Sequence, residues 1–509
     1  MSEVSQLRIV IVGGGTAGWM TAAALGRFCE GASITLVESD EIGTVGVGEA
    51  TIPHIVTFNQ ALGIDEAEFL AATGATYKLG IGFEGWGDPD ESYVHAFGQV
   101  GRGIGLLPFH HYWLRARSLG IAKPFGHYLL NTIILAGDRF AHIEREPDNP
   151  LPPVPYAFHF DASLYARFLR GFAEKRGVVR QEGRIVAINR HPTSGDVSSV
   201  TLANGTQVDG ELFIDCSGFR GLLIEQELEA GFEDWSQWLP CDRATAVPCA
   251  SVTPVTPYTR AIARKAGWQW RIPLQHRIGN GHVYCSRHIS EDEATSVLLA
   301  NLDGEQMADP RTLRFRTGRR RKAWVRNVVA IGLSSGFIEP LESTSIHLIQ
   351  TAVNRLLELL PRREISEFAR ESYNTCAAFE MERLRDFIVL HYHANGRVGE
   401  AFWDELRSME IPDSLHQRIE LFRETGGVFP SLDELFDLRG WVQVMIGQGV
   451  MPKRWHPLAD TLEEGRLRHF LEMTEQAYVQ EASRLPDHGA YVSRFAPMPR
   501  QDVAAGASA

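Results

Sequence analysis

Excess positive charge, paired cysteines and long apolar runs are all scarce in this chain. Lys and Arg number 50 against 63 Asp and Glu, a net charge of −13. A surface of that sign repels polyanions, so neither a nucleic-acid partner nor an anionic membrane is expected. The one dense basic tract is Arg319–Lys322, whose expected setting is a solvated strand or loop edge. Six cysteines, Cys29, Cys216, Cys241, Cys249, Cys285 and Cys376, are scattered without a CxxC pair or a zinc spacing. Neither a disulfide framework nor a structural metal is expected from them. His110 and His111 adjoin but lack a third ligand at usable spacing, so no metal is assigned. No apolar run approaches the roughly 20 residues of a membrane helix. No basic-then-apolar leader precedes the first strand, so a cytoplasmic location is expected.

What is present is an ordinary globular composition, 44% hydrophobic and 22% charged over 509 residues, enough for a large core. Residues 7–12, "LRIVIV", form a continuous β-branched run, the mark of a parallel strand covered on both faces. A glycine turn, a helix pattern and a second strand ending at Glu38 follow, which is a βαβ opening. Further strands are expected at 184–188, 198–203, 211–215 and 326–331, and helices across 350–390 and 400–480. The expected fold is α/β: a Rossmann-like FAD-binding body over 1–360 and a helix-rich C-terminal region over 361–496, packed as one unit. The small, polar residues 497–509 are expected to be a disordered tail.

Gly13, Gly15 and Gly18 stand at the spacing G-x-G-x-x-G, directly after a strand and opening a helix. Glu38 ends the next strand 20 residues past Gly18. In that context the pattern reads as a dinucleotide site. Gly13 allows the turn, Gly15 lets backbone approach a pyrophosphate, and Gly18 lets helix and strand pack closely. The helix start at Thr16 and Ala17 offers free N–H donors and a partial positive charge. Glu38 is placed to accept from ribose hydroxyls. The stretch after it, "SDEIGTVGVGEATIPHI", shows no third strand and suits an elongated cofactor. Residues 328–353 repeat the strand, glycine turn and helix, so Ala50, Leu333 and Ile346 are expected along the same cofactor, and FAD fits best.

Over most of residues 7–395 the sequence resembles the flavin-dependent halogenases of the tryptophan/indole type. The resemblance rests on Gly13 to Gly18, "GEATIP" (Gly48 to Pro53), "YKLGI" with Lys78, "WQWRIP" (Trp268 to Pro273) and "GFIEPLESTSI" (Gly336 to Ile346). It implies reduced FAD (FADH2), O2 and a halide, chloride or bromide, as co-reactants. Hypohalous acid is made at the flavin and spent on an electron-rich ring at a second site. A separate flavin reductase is implied, since no second dinucleotide fingerprint is present. Members are often dimers, so a homodimer is expected.

The resemblance also implies roles. Lys78 would hold and polarise the hypohalous acid, by hydrogen bonding or as a haloamine. Glu342 would stabilise the cationic ring intermediate and take its proton. Backbone N–H groups of Thr344 and Ser345 would bind halide; the family has glycine where this chain has Ser345. His95 and Phe97 would sandwich the ring. Trp268 and Trp270 share one face of a strand with Ile272, a bulky wall that would admit halide to the flavin and keep organic substrate away.

The C-terminal part departs from the tryptophan enzymes. "GQGVMP" (447–452) matches, but the tyrosine pair ahead of it is replaced by Trp441 and Val442, and Phe436 is the candidate aromatic lid. The polar grip for an amino acid's ammonium and carboxylate is mostly missing, which predicts an indole-like substrate over free tryptophan. A flavin-dependent aromatic hydroxylase, a tryptophan halogenase proper and a non-enzymatic flavoprotein remain the alternative readings.

Overall fold

The computed structural model describes residues 6–41, 48–143, 151–361 and 364–498. The strand Arg8–Val12 sits inside a six-stranded sheet, between Leu212–Asp215 and Ser33–Glu38, with both pairings parallel. Its side chains alternate between two cores. Ile9 and Ile11 join the main core, whereas Val10 and Val12 join a smaller one with Val197, Val200, Phe213 and Val328. Both faces are covered, so the strand reads as an unbroken apolar run. The helix Thr16–Phe28 crosses one face against the helix Ala162–Glu174.

A second, seven-stranded sheet was unforeseen except for its "GWQWRIP" strand. Its order is Arg311–Arg314, Arg243–Cys249, Ile278–Tyr284, Gly267–Pro273, Thr259–Arg264, Gly80–Glu84, Ser92–Ala96. All neighbours are antiparallel except Thr259–Arg264 with Gly80–Glu84. A three-stranded sheet, Glu49–Ala50, Ala157–Phe160 and Thr76–Lys78, lies beside it. The short Glu49–Ala50 pairing corrects the reading that no third strand follows Glu38. The other expected strands appear within two residues, as Ile185–Arg190, Val197–Leu202, Leu212–Asp215 and Val328–Ala330.

The C-terminal helices include Ser345–Glu358, Glu367–His393, Asp413–Thr425, Leu438–Gly447 and Glu464–Ser483. One apolar cluster runs from Ile9 through Phe83 and Trp86 to Phe387, Trp441 and Val492. The helical region therefore completes the body's core. The Arg319–Lys322 tract is solvated only in its second half: Arg321 and Lys322 are exposed as expected, whereas Arg319 pairs with Glu233 and Glu382 and Arg320 is buried on Glu225. Of the expected tail, residues 499–509 lie outside the described residues. Among the described residues no helix is long and apolar enough to cross a membrane.

Candidate active site

The glycine turn at the end of Arg8–Val12 is built for close backbone approach. Gly13 has φ +109°, and a Cβ there would lie 2.3 Å from the Cys216 carbonyl oxygen. A Cβ on Gly18 would stand 1.9 Å from the Gly13 oxygen. Backbone cannot give way at such a distance. Gly18→Ala is expected to lower stability by about 3 kcal/mol, read as a fall in Tm. At Gly15, by contrast, a Cβ would meet nothing within 4 Å. That open space faces the first turn of the helix beginning at Thr16, a cradle suited to a pyrophosphate. The second glycine turn closes on the first: a Cβ on Gly332 would lie 2.7 Å from the Ala17 Cβ. Leu333 beside it is exposed, while Ala50 and Ile346 are buried. Residues 13–18 and 332–333, far apart in sequence, are thus brought together. Glu38 ends its strand there, and its carboxylate already accepts from Arg180 and from Trp19 Nε1. Arg180, unseen in the sequence, fixes the group expected to meet the ribose.

Lys78 ends the strand Thr76–Lys78, one strand away from Ala50 on the same small sheet, with Ala157–Phe160 between them. Thr76 Oγ1 donates to the Pro273 carbonyl at 2.6 Å, which ties this sheet to the end of the tryptophan strand. The Lys78 side chain is wholly buried. Its Nζ donates to Ser343 Oγ at 2.6 Å and lies 5.5 Å from the Phe97 ring centre. Burial pushes its pKa down to about 7, with the Glu342 charge acting the other way. Ser343 adopts φ +60°, unusual for serine, and that turn aims its hydroxyl at the amine.

Glu342 precedes Ser343 in the short helical turn Pro340–Glu342 and is buried. His95 Nδ1 lies 2.9 Å from Oε2 and 3.0 Å from Oε1. On the other side His391 Nε2 stands 2.9 Å from Oε1. His391 Nδ1 donates to the Phe387 carbonyl at 2.8 Å, which turns Nε2 toward the carboxylate. Burial alone would raise the Glu342 pKa; His95 and His391 outweigh it and bring it down to about 2. A buried carboxylate held ionised is an electrostatic partner for a developing cation and an acceptor for its proton.

Aromatic faces surround this pair. Phe387 stacks on Phe436 at 3.8 Å and 13°, and His95 lies 5.7 Å and 5.9 Å from those rings. Trp441 meets Phe387 edge-on at 4.8 Å. Phe436 thus lies beside His95, and Phe97 beside Lys78. His95 does more than present a face, because its Nδ1 is committed to Glu342. Phe387, His391 and Trp441 were missed as site residues. Only the aromatic content of "DFIVLHYH" hinted at the first two.

Trp268 and Trp270 occupy the centre of the seven-stranded sheet, their ring centres 6.2 Å apart and both buried. Gly281 and Ala261 flank Trp270 across the sheet. A Cβ on Gly281 would lie 2.0 Å from the Trp270 ring, so the indole lies down over a glycine. Thr344 and Ser345 stand at the start of the helix Ser345–Glu358, where backbone N–H groups have no partner within the helix. The segment Gly336 to Ser345 therefore passes the tryptophans, Glu342, the Lys78 partner and the helix start in turn. His110 is satisfied by the Gly426 carbonyl, and among the described residues no group of three or more ligands for a metal occurs.

A model of the tryptophan halogenase family matches residues 8–464. A tryptophan 7-halogenase from Lentzea aerocolonigenes is 39% identical over 440 residues, 82% of each chain. A 7-chloro-L-tryptophan 6-halogenase from a Kutzneria species is 35% identical over 96% of this chain and 99% of its own. The solved structure of a flavin-dependent halogenase from Xanthomonas campestris superposes with TM-score 0.94 at 50% identity, covering 97% of this chain and 99% of its own. By the family model and by these relatives, the chain belongs to the tryptophan halogenase family and is a flavin-dependent halogenase, an FAD-binding enzyme.

Proposed function

We propose that the protein uses O2 and a halide to halogenate an electron-rich, indole-like ring, with Lys78 delivering the halogen and Glu342 receiving the ring proton. The turn at Gly13, Gly15 and Gly18 would hold FAD, which, reduced by a separate reductase, would supply with O2 the oxidant that converts halide to hypohalous acid. Halide docks on the Thr344 and Ser345 N–H groups, where unpaired donors and the helix dipole favour an anion. Trp268 and Trp270 bar larger molecules from that side. Lys78 Nζ donates a hydrogen bond to the hypohalous acid and polarises its O–halogen bond. The ring lies among His95, Phe97 and Phe436, its developing positive charge facing Glu342. The carrying observation is the meeting of Lys78 and Glu342 through Ser343 in a buried, aromatic-lined setting, from positions 264 residues apart.

Arg418, Asp437 and Gln443 of the C-terminal segment support an indole-like substrate over free tryptophan, because they are already paired. Arg418 binds Glu434 through two nitrogens at 2.7 Å and lies 4.2 Å from the Trp441 ring centre. Asp437 caps its own helix and holds Arg439. Gln443 bonds both backbone groups of Ala96. An ammonium and carboxylate entering here would lose water without gaining partners. With a flavin reductase, NADH and mixed chloride and bromide, the enzyme is expected to halogenate indole at least about tenfold more efficiently than tryptophan, measured by mass spectrometry of products. A preference for tryptophan would reverse the substrate assignment, and hydroxylated product formed without halide would reverse the reaction.

A further inference from the structure

Glu339 lies three residues before Glu342 and is completely buried. Its Oε2 accepts two hydrogen bonds, from Trp268 Nε1 at 2.9 Å and from Tyr392 OH at 2.6 Å. Oε1 has no partner among the described residues. Burying a carboxyl with one bare oxygen is costly, so packing alone does not account for it. Burial raises its pKa to about 7, while the two donors pull it back. Tyr392 follows His391 in the helix Glu367–His393. Two adjacent residues of one helix therefore grip the two glutamates of one short segment, His391 beside Glu342 and Tyr392 on Glu339. Trp268, the other partner of Glu339, belongs to the wall.

We infer that Glu339, held by Tyr392, is a positioning residue that fixes the Trp268 indole and thereby sets how much oxidant reaches the ring site instead of bulk water. The inference rests on the proposed reading of Trp268 as part of the barrier. The register neighbours of Trp268, an alanine and a valine, and the Trp270 ring 6.2 Å away offer its Nε1 no hydrogen-bond partner. The Nε1–Oε2 bond supplies one. Because the same segment continues through Glu342 to the Lys78 partner Ser343, the latch holds barrier and ring site in one register.

The test is a partition ratio, which does not depend on how much enzyme is folded. Halogenated aromatic product and hypohalite trapped by taurine in bulk are both counted per FADH2 oxidised. Glu339→Leu removes both acceptors, and the product-to-trap ratio is expected to fall about tenfold. Tyr392→Phe removes one donor and keeps the ring in the core; a fall of about threefold is expected, and this variant carries the test should Glu339→Leu not fold. Glu339→Gln keeps an oxygen for both donors and is expected to hold the ratio within about twofold of the wild type. An unchanged ratio in Tyr392→Phe and Glu339→Leu overturns the inference. Trp268→Ala separates the two levels: a leak there without one in Glu339→Leu removes only the latch, whereas no leak in Trp268→Ala removes the barrier reading itself.

Discussion

Lys78→Ala is expected to lower halogenation on the order of a thousandfold while leaving FAD bound. The amine sits where no water competes, so a hydrogen bond from it to hypohalous acid is worth more than the same contact in solvent. No other described lysine or arginine is paired with Ser343 to take over. The substitution should not unfold the protein. A lone buried ammonium opposes folding, and Lys78→Met, which preserves chain length in the pocket, is expected to hold or raise Tm. The sign follows from proton binding. The folded pKa, about 7, lies below the usual 10.5. Between those values the unfolded chain binds more protons, so the Lys78 contribution makes stability rise with pH across that window. Activity runs the other way if the charged donor acts. Halogenation is expected to fall as pH rises through about 7, and a rising limb there would assign the step to the neutral amine instead.

The parts of this enzyme that sequence exposes are those whose chemistry is local. Gly13, Gly15 and Gly18 carry their constraint within one turn, and Trp268 and Trp270 share a face because a strand repeats every two residues. The partners that complete each group are remote, and nothing at their own positions marks them. Arg180 and Trp19 hold Glu38, yet an arginine in an edge strand looks like any surface charge. Gly281 lies under Trp270 in a strand whose sequence, "IGNGHVY", lacks the β-branched alternation of an exposed sheet. The helix Glu367–His393 is amphipathic only in its first half. From Leu384 to Tyr392 every residue is buried, so the helical stripe disappears and His391 and Tyr392 read as packing. Lys78 and Glu342 were singled out by resemblance to a family. Burial, the lowered amine pKa and the flanking histidines emerge only when four elements close around them.

Glu342→Gln is expected to lower the halogenation rate by about a hundred- to a thousandfold and to move the pH profile of what remains. The amide removes the acceptor for the ring proton and the charge opposite the cationic ring. It also removes the one charge that raises the Lys78 pKa, so the limb near pH 7 is expected to shift to lower pH. In the wild type Glu342 contributes no acid limb within the working range, because His95 and His391 hold its pKa at about 2. Its folded pKa lies below the usual 4.5. The stability it contributes is therefore complete above that usual value and is lost as pH falls toward 2. In Glu342→Gln that acid-induced loss should diminish, measurable as a flatter fall of Tm with acid. His391→Gln tests the same pairing from the other side: with one imidazole gone, the Glu342 pKa should rise, and an acid limb should enter the activity profile. A Glu342→Gln enzyme that halogenates at the wild-type rate with an unmoved limb would take the carboxylate out of the reaction and leave Lys78 as a solitary charge.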